Sequence, residues 1–539
     1  MAEKFFPVSG SRYRKFDTLY LDSDGNPPQR IYTLIDENGN TLFEDCNREL
    51  LRAILRNNDV DALAQYLTKY PEVTEKVSCY YALHTNNMQS PNERGFLLLN
   101  IACKNCRVNT VRFLFDEYPE YADIHARDED NTSAILAAAG WSGWKIDEAS
   151  RRDEIMHLLL DRGASAKDLS QWPSPEQVMV KVDQPRENVL TLAAPWAGPD
   201  LIRRLIDKGA DPDEKTYTYN TADRAVVWKK EVNLGVTTLF VASIYWNVEV
   251  VEMLRRHHKS SGGVAELVSR RDSCGRLPLH WAAGGSKEGF HPNLMESPEF
   301  ARRAVDTLKL LVDPSAVNAQ DNDGETPLHY AAHSYGRLTS IYKGVFQYLL
   351  ENGADASIQN HKGRTPFQFL CDRFNDGIPL DAATMSLLYT ESEDLSHGDA
   401  KGNTSLHKMA SQWDRVEAVK FLFDRGADVA IKNLKGNTAL HEAAIGRFIP
   451  GYIPPEILRS EFDGMMKVLL EAEAGGDRVV NIKNTAGRTA RETFEDLWIG
   501  SRRYTIRDRE DPYSRGGFGG RGRQKSPIYA LATSVHRGR

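Results

Sequence analysis

Four histidines, His280, His329, His407 and His441, are the residues best suited to chemistry in this chain, because an imidazole can bind a metal or move a proton near neutral pH. Their placement argues against both uses. Each fills the same position of a short recurring motif, one per copy, so the rings are distributed along the chain rather than gathered. His441-Glu442 opens like the H-E-x-x-H zinc motif but reaches Ile445 where the second ligand must stand, which excludes a metalloprotease of that kind. Cys103 and Cys106 form a C-x-x-C with no second pair and no histidines at ligand spacing nearby, so they read as helix residues rather than as half of a zinc site. No Gly-Lys dipeptide exists to build a P-loop, and no G-x-S-x-G elbow to present a serine. Gly517-Phe-Gly-Gly-Arg-Gly522 matches a dinucleotide fingerprint in letters only, since it follows no strand and opens no helix. No catalytic residue, metal or cofactor is expected. An enzyme with an atypical site in an insertion is an alternative that no motif supports.

The elements that position these residues are repeats. Gly275-Arg-Leu-Pro-Leu-His-Trp-Ala-Ala283 returns as Gly324-Glu-Thr-Pro-Leu-His-Tyr-Ala-Ala332, Gly402-Asn-Thr-Ser-Leu-His-Lys-Met-Ala410 and Gly436-Asn-Thr-Ala-Leu-His-Glu-Ala-Ala444. Weaker copies start at Gly235, Gly363 and Gly487, and the same frame fits Gly95, Asp130 and Arg186. A second motif, Leu-Leu-x-x-Gly-Ala-Asp or a close variant of it, follows at a helical distance at Leu205 to Asp211, Leu349 to Asp355 and Leu422 to Asp428. In each unit Thr326 or its equivalent is placed to cap a helix, Pro327 takes the first helical position, Leu328 starts the buried stripe, and Ala331 and Ala332 allow close helix approach. Phe346, Tyr348, Leu349 and Leu350 make a second apolar helix that Gly353 ends in the left-handed conformation. Such a pair cannot bury its apolar face alone, so units must stack.

The two motifs together resemble the ankyrin repeat, whose period is about 33 residues. The resemblance implies an all-α repeat solenoid of helix-turn-helix units with β-hairpin fingers, about ten to eleven of them with insertions, over residues 46–495. It also implies that the histidines hydrogen-bond near the Thr and tie adjacent units together. Residues 1–45 read as an irregular N-terminal segment, the pair 48–57 and 60–70 as a capping helix pair, and 496–539 as a basic tail. Insertions at Gly140 to Asp153, Gly284 to Phe300, Ser334 to Gly344 and Gly446 to Phe462 separate first from second helices, whereas Asp211 to Leu234 lengthens a finger.

Composition bounds the partner. The chain has 539 residues, 41% hydrophobic and 27% charged, with a formal charge of −7, which gives no global case for nucleic-acid or membrane binding. Six scattered cysteines suit a reducing compartment, and no run approaches the ~18 apolar residues of a membrane span, so an intracellular protein, cytoplasmic or nuclear, is expected. The fold resemblance implies a non-catalytic scaffold or adaptor that binds proteins through a concave groove. Near the anchor glycines stand Asp323 and Glu325 and then Lys362, Arg364, Lys401, Lys435 and Arg488, a strip suited to an acidic or phosphorylated segment. Trp281 and Tyr330 occupy the inner-helix position that the family turns to the groove, and aromatic anchors dominate interface energies. The alternative is an RNA-associated factor: Arg515, Phe518, Arg521 and Arg523 lie in a short Arg-Gly box of the kind that pairs with phosphates and stacks on bases.

Overall fold

Thr326-Pro327-Leu328-His329 starts a helix because proline's fixed φ suits the first turn, where its missing N–H has no partner in any case. The same logic repeats along the chain. The computed structural model describes residues 5–7, 14–16, 55, 58–69, 77–79, 94–128, 131–140, 146–170, 187–219, 232–260, 263–285, 298–335, 339–372, 380–446, 464–470 and 477–496. These fall into two compact units, Met1–Leu311 and Val312–Arg539.

In the first unit the helices are α1 (Val60–Lys69), α2 (Leu98–Lys104), α3 (Val108–Glu117), α4 (Ala134–Ala139), α5 (Ile146–Asp161), α6 (Val189–Ala193), α7 (Pro199–Asp207), α8 (Thr238–Ile244), α9 (Val248–Ser260), α10 (Val264–Ser269), α11 (Pro278–Gly284) and α12 (Pro298–Leu311). The short helices α2, α4, α6, α8 and α11 pack in series to form one layer, and α3, α5, α7, α9 and α12 form a second layer behind them. In the second unit α13 (Pro327–Ser334), α15 (Pro366–Asp372), α17 (Ser405–Ala410) and α19 (Ala439–Ile445) stack in the first layer, with α14 (Thr339–Glu351), α16 (Ala382–Leu388) and α18 (Val416–Phe423) behind. This is an all-α repeat solenoid of ankyrin-type units. Alanines permit it: Ala102, Ala138, Ala242, Ala282, Ala331 and Ala410 are fully buried between neighbouring helices.

Outer helices end as the sequence predicts. Gly353 adopts φ +89°, and the Ala354 and Gly353 amides close back on the Leu349 and Leu350 carbonyls at 2.9 and 3.0 Å. The second helices begin earlier than the insertion boundaries predict, α5 at Ile146, α12 at Pro298 and α14 at Thr339, so part of three expected loops is helical. Three fingers of the first unit are lengthened by antiparallel pairs: β3 (Val77–Cys79) with β4 (Arg94–Phe96), β5 (Leu169–Ser170) with β6 (Glu187–Asn188), and β7 (Thr216–Tyr219) with β8 (Val232–Val236). Only the last of these is expected from sequence. Near the N-terminus β1 (Phe5–Pro7) pairs with β2 (Arg14–Phe16). Most of 48–57 and all of 501–539 lie outside the described residues.

One buried charge belongs to the fold. Arg152 is 1% exposed and donates to the carbonyls of Ala138 at 2.8 Å, Gly140 at 2.6 Å and Lys104 at 3.3 Å, so the C-termini of α2 and α4 supply the negative ends that a buried guanidinium requires.

Candidate protein-binding surface

Each finger is built on one Asp or Asn. The Asp321 Oδ1 accepts the Asp323 and Glu325 amides at 2.9 and 2.8 Å; Asn360 does the same for Lys362 and Arg364, Asp399 for Lys401 and Asn403, Asn433 for Lys435 and Asn437. These side chains mimic a backbone turn and leave two residues at each tip before the glycine. Gly324 shows why glycine follows: φ is +78°, and a Cβ would meet the His361 amide nitrogen at 2.8 Å.

The histidines are structural. His329 Nδ1 accepts the Thr326 amide at 3.1 Å and stands 2.9 Å from the Thr326 hydroxyl, while Nε2 donates to the Arg364 carbonyl of the next finger at 2.9 Å. His407 reaches Asn437 and His441 reaches Arg488 in the same way, both at 3.0 Å. An acceptor Nδ1 and a donor Nε2 fix the neutral ring. Burial pushes the His329 imidazole down to about 4 and lowers His407 and His441 as well. Thr326 therefore faces the imidazole, and the N-cap amide is closed by the ring.

Other residues do the histidine's work where it is absent. Asn100 Nδ2 donates to the Thr132 carbonyl at 2.7 Å, and Gln368 Nε2 to the Asp394 carbonyl at 3.3 Å. Both stand five residues after their anchor glycine, the position by which the sequence could have shown them. Burial raises the Cys103 thiol well above its usual range and pushes Cys371 up to about 12, which disfavours the reactive thiolate at both. Cys106 departs from the helical expectation, lying just beyond α2 at φ +58°. Among the described residues, no group of His, Cys, Asp and Glu could hold a metal ion.

The expected groove aromatics are turned onto their own fingers. Trp281, 7% exposed in the first unit, donates its indole N–H to Asp272 at 3.0 Å, packs its ring edge to face with Phe240 and carries the Arg276 guanidinium over it at 4.9 Å. Tyr330 in the second unit donates its hydroxyl to Asp321 at 2.8 Å. Both meet a carboxylate nine residues upstream, which fixes the orientation of each ring, Trp281 being buried and Tyr330 half-buried. Arg364 is likewise turned inward, pairing with Asp372 and covering Phe369 at 4.3 Å. Glu325 is half-buried, accepts from Asn360 at 3.3 Å, and is pushed up to about 7 by burial and by Asp321.

What faces solvent at the tips is a charged row. Asp323 is exposed, as are Lys362, Lys401 and Lys435 on the three fingers after it. Arg488 on the last described finger is exposed and pairs with Asp496 at 2.9 Å. Leu434, beside Lys435, is 76% exposed, and no other large hydrophobic among the described residues stands out in this way. The sequence reading missed it because one leucine in a loop carries no periodic signal. Arg515, Phe518, Arg521 and Arg523 lie outside the described residues.

A family model described as three copies of ankyrin repeats matches residues 338–433. Over 59 residues, 11% of this chain and 7% of the relative, the chain is 42% identical to Transcription factor MBP1 of Kluyveromyces lactis. It is 31% identical over 165 residues, 30% of this chain, to Neurogenic locus notch homolog protein 1 of Mus musculus, covering 5% of that protein. The chain thus spans less than a tenth of the length of these two curated relatives. Among solved structures the human ASB11 ankyrin repeat domain is 20% identical with a TM-score of 0.33, covering 48% of this chain and 91% of that domain. The match puts ankyrin repeats at residues 338–433, and the same finger, histidine bridge and helix pair recur beyond it, as where His441 reaches Arg488.

Proposed function

We propose that the chain is a non-catalytic interaction scaffold that binds a partner protein through its finger tips, and that the segment it binds is acidic. Ankyrin repeats as a class mediate protein–protein interaction. The observation that carries the finer reading is the contrast between two sets of side chains. Histidines bridge adjacent units, and Asx residues and inner-helix aromatics are tied into their own fingers, whereas Lys362, Lys401 and Lys435 occupy one repeated tip position and face solvent. Three like charges exposed at one repeated position make a field that attracts an acidic surface and speeds encounter.

The test compares the full chain with a Lys362→Glu, Lys401→Glu, Lys435→Glu variant in affinity purification from the native cell, followed by association kinetics at two salt concentrations with the proteins recovered. Loss of those proteins and of the salt dependence supports the reading; recovery of the same proteins with unchanged on-rates overturns it. A third arm lacking 501–539 separates RNA held by the arginine-glycine tail from protein held by the fingers.

A further inference from the structure

The row of tips has a repeat distance, and that distance selects a backbone conformation. Lys362, Lys401 and Lys435 each stand four residues before the first residue of an inner helix, α15, α17 and α19, which pack on one another in series. Packed helices lie about 8–10 Å apart, so the tips advance by about that much. Backbone bonding between tips gives a second measure. The Leu434 amide donates to the Lys401 carbonyl at 3.0 Å. One hydrogen-bonded step of about 5 Å and one Cα–Cα step of about 3.8 Å reach at most roughly 9 Å, which caps the Lys401–Lys435 backbone separation within the range set by helix packing.

We propose that the finger row binds an acidic segment in the polyproline II conformation, with an acidic side chain at every third residue and an apolar residue beside the acid that meets Lys435. This rests on the scaffold reading above and names the kind of segment bound. Polyproline II has three residues per turn and a rise of about 3.1 Å, so every third side chain returns to one face after about 9.3 Å, the lysine spacing. A β-strand presents one face every second residue, at about 6.6 or 13 Å, and fits neither. A helix would return after seven residues, about 10.5 Å, but helix docking needs an apolar stripe at i, i+3, i+4 and i+7. The tips offer one apolar side chain among lysines instead.

Leu434 is held for this role. Its amide is bonded to Lys401 on one side, and the next carbonyl, that of Lys435, accepts the Thr485 amide at 3.1 Å and hydroxyl at 2.9 Å on the other. The backbone under the leucine is therefore pinned from two fingers, and its 76% exposed side chain is presented rather than tucked in. Asp323 at the first tip of the row gives the surface a direction, repelling an acid at that end and setting which way the segment runs.

The experiment uses the full chain and three synthetic peptides of equal length and composition, built from glutamate, proline and one leucine, with the glutamates spaced every two, three or four residues. Fluorescence anisotropy should show the three-residue spacing binding about tenfold more tightly than the others, as expected for three aligned exposed ion pairs. Leu434→Ser should weaken that peptide about threefold while leaving the salt dependence intact, and Lys401→Glu with Lys435→Glu should abolish binding. Equal affinity for all spacings, or indifference to Leu434→Ser, overturns the conformational inference while leaving an acidic partner standing. Failure of every acidic peptide overturns both readings. A single-stranded oligonucleotide or an anionic phosphatidylserine vesicle that outcompetes the three-residue peptide overturns the choice of a protein segment.

Discussion

Trp246 donates its indole N–H to the Ala282 carbonyl of the next inner helix at 2.8 Å. Trp196 does the same to Ala139 at 2.9 Å, and Trp413 to Ala443 at 2.6 Å. The three helices capped in this way, α4, α11 and α19, are ones that run into an insertion instead of a tight turn. The last carbonyls of a helix have no intrahelical donor and need one from elsewhere. A tryptophan from an adjacent repeat supplies the donor, from the preceding repeat at α11 and α19 and from the following one at α4, so an insertion in one repeat is accommodated by a residue in its neighbour. At α19 the fit is close: Gly446, at φ +57°, lies under Trp413, and a Cβ there would meet the ring at 2.9 Å.

Trp246→Phe should therefore separate the hydrogen bond from the packing. Phenylalanine keeps most of the buried ring but leaves the Ala282 carbonyl without its donor, a loss of about 1–3 kcal/mol. Urea unfolding should show a lowered midpoint at unchanged slope. Stability within a few tenths of the parent would mean that the indole N–H contributes nothing and that only its bulk matters.

His407 gives a sharper comparison because the chain already contains its substitutes. His407→Leu strands the Thr404 amide and the Asn437 carbonyl together, and a loss of about 2–4 kcal/mol is expected. His407→Asn should retain part of this, because Asn100 reaches the next finger's carbonyl from the equivalent position. Equal damage from both replacements would show that ring volume, not the bridge, is what the position requires.

The pH dependence of stability should have two opposing components. His329 is pushed down to about 4 in the folded chain against about 6.5 unfolded, so below about pH 6.5 the unfolded state takes up protons that the folded state refuses. Stability falls on that account as pH drops from about 6.5 to about 4, and His407 and His441 act in the same direction. Glu393 is the opposite case. It is 8% exposed, its two oxygens stand 3.0 and 2.9 Å from the Thr365 hydroxyl and also meet the Gln368 side chain, and burial outweighs both and pushes it up to about 7. Its contribution is complete below its unfolded pKa and is lost as pH rises through about 7. Glu393→Gln should raise stability at about pH 8 relative to the parent and leave the acid limb unchanged; a variant destabilised equally at both ends would contradict this assignment.

Much of this architecture is written in the sequence, because Gly-x-Thr-Pro-Leu-His uses one residue type for one backbone task at each position. What stayed hidden was contact between positions. Nothing periodic tells a reader that Trp281 turns its N–H to Asp272 or that Tyr330 turns its hydroxyl to Asp321. The rule behind them becomes visible only with coordinates. At Asp272, Asp321 and Asn433 the finger's Asx meets the residue nine further on, and polarity is matched: where the finger has Asn433 the partner is Glu442, which accepts from it at 2.9 Å. Asn100 and Gln368 were missed for a related reason, since the cue followed was the identity of histidine and not the carbonyl it must reach.

Ala331 tests the stacking itself. It is fully buried in α13, and α13 packs against α15, so its methyl group sets how closely two neighbouring repeats approach. Ala331→Leu inserts three carbons where no void exists and should cost about 1–3 kcal/mol. In a repeat array that loss is felt at one interface, because each repeat contacts only its neighbours. Hydrogen exchange should then show amides of α13 and α15 opening first, while those of α17 and α19 keep the protection they have in the parent. Uniform loss of protection from α13 to α19 would mean that these repeats unfold as one cooperative body, and the finger row across α15, α17 and α19 would then respond as a whole to damage at its edge.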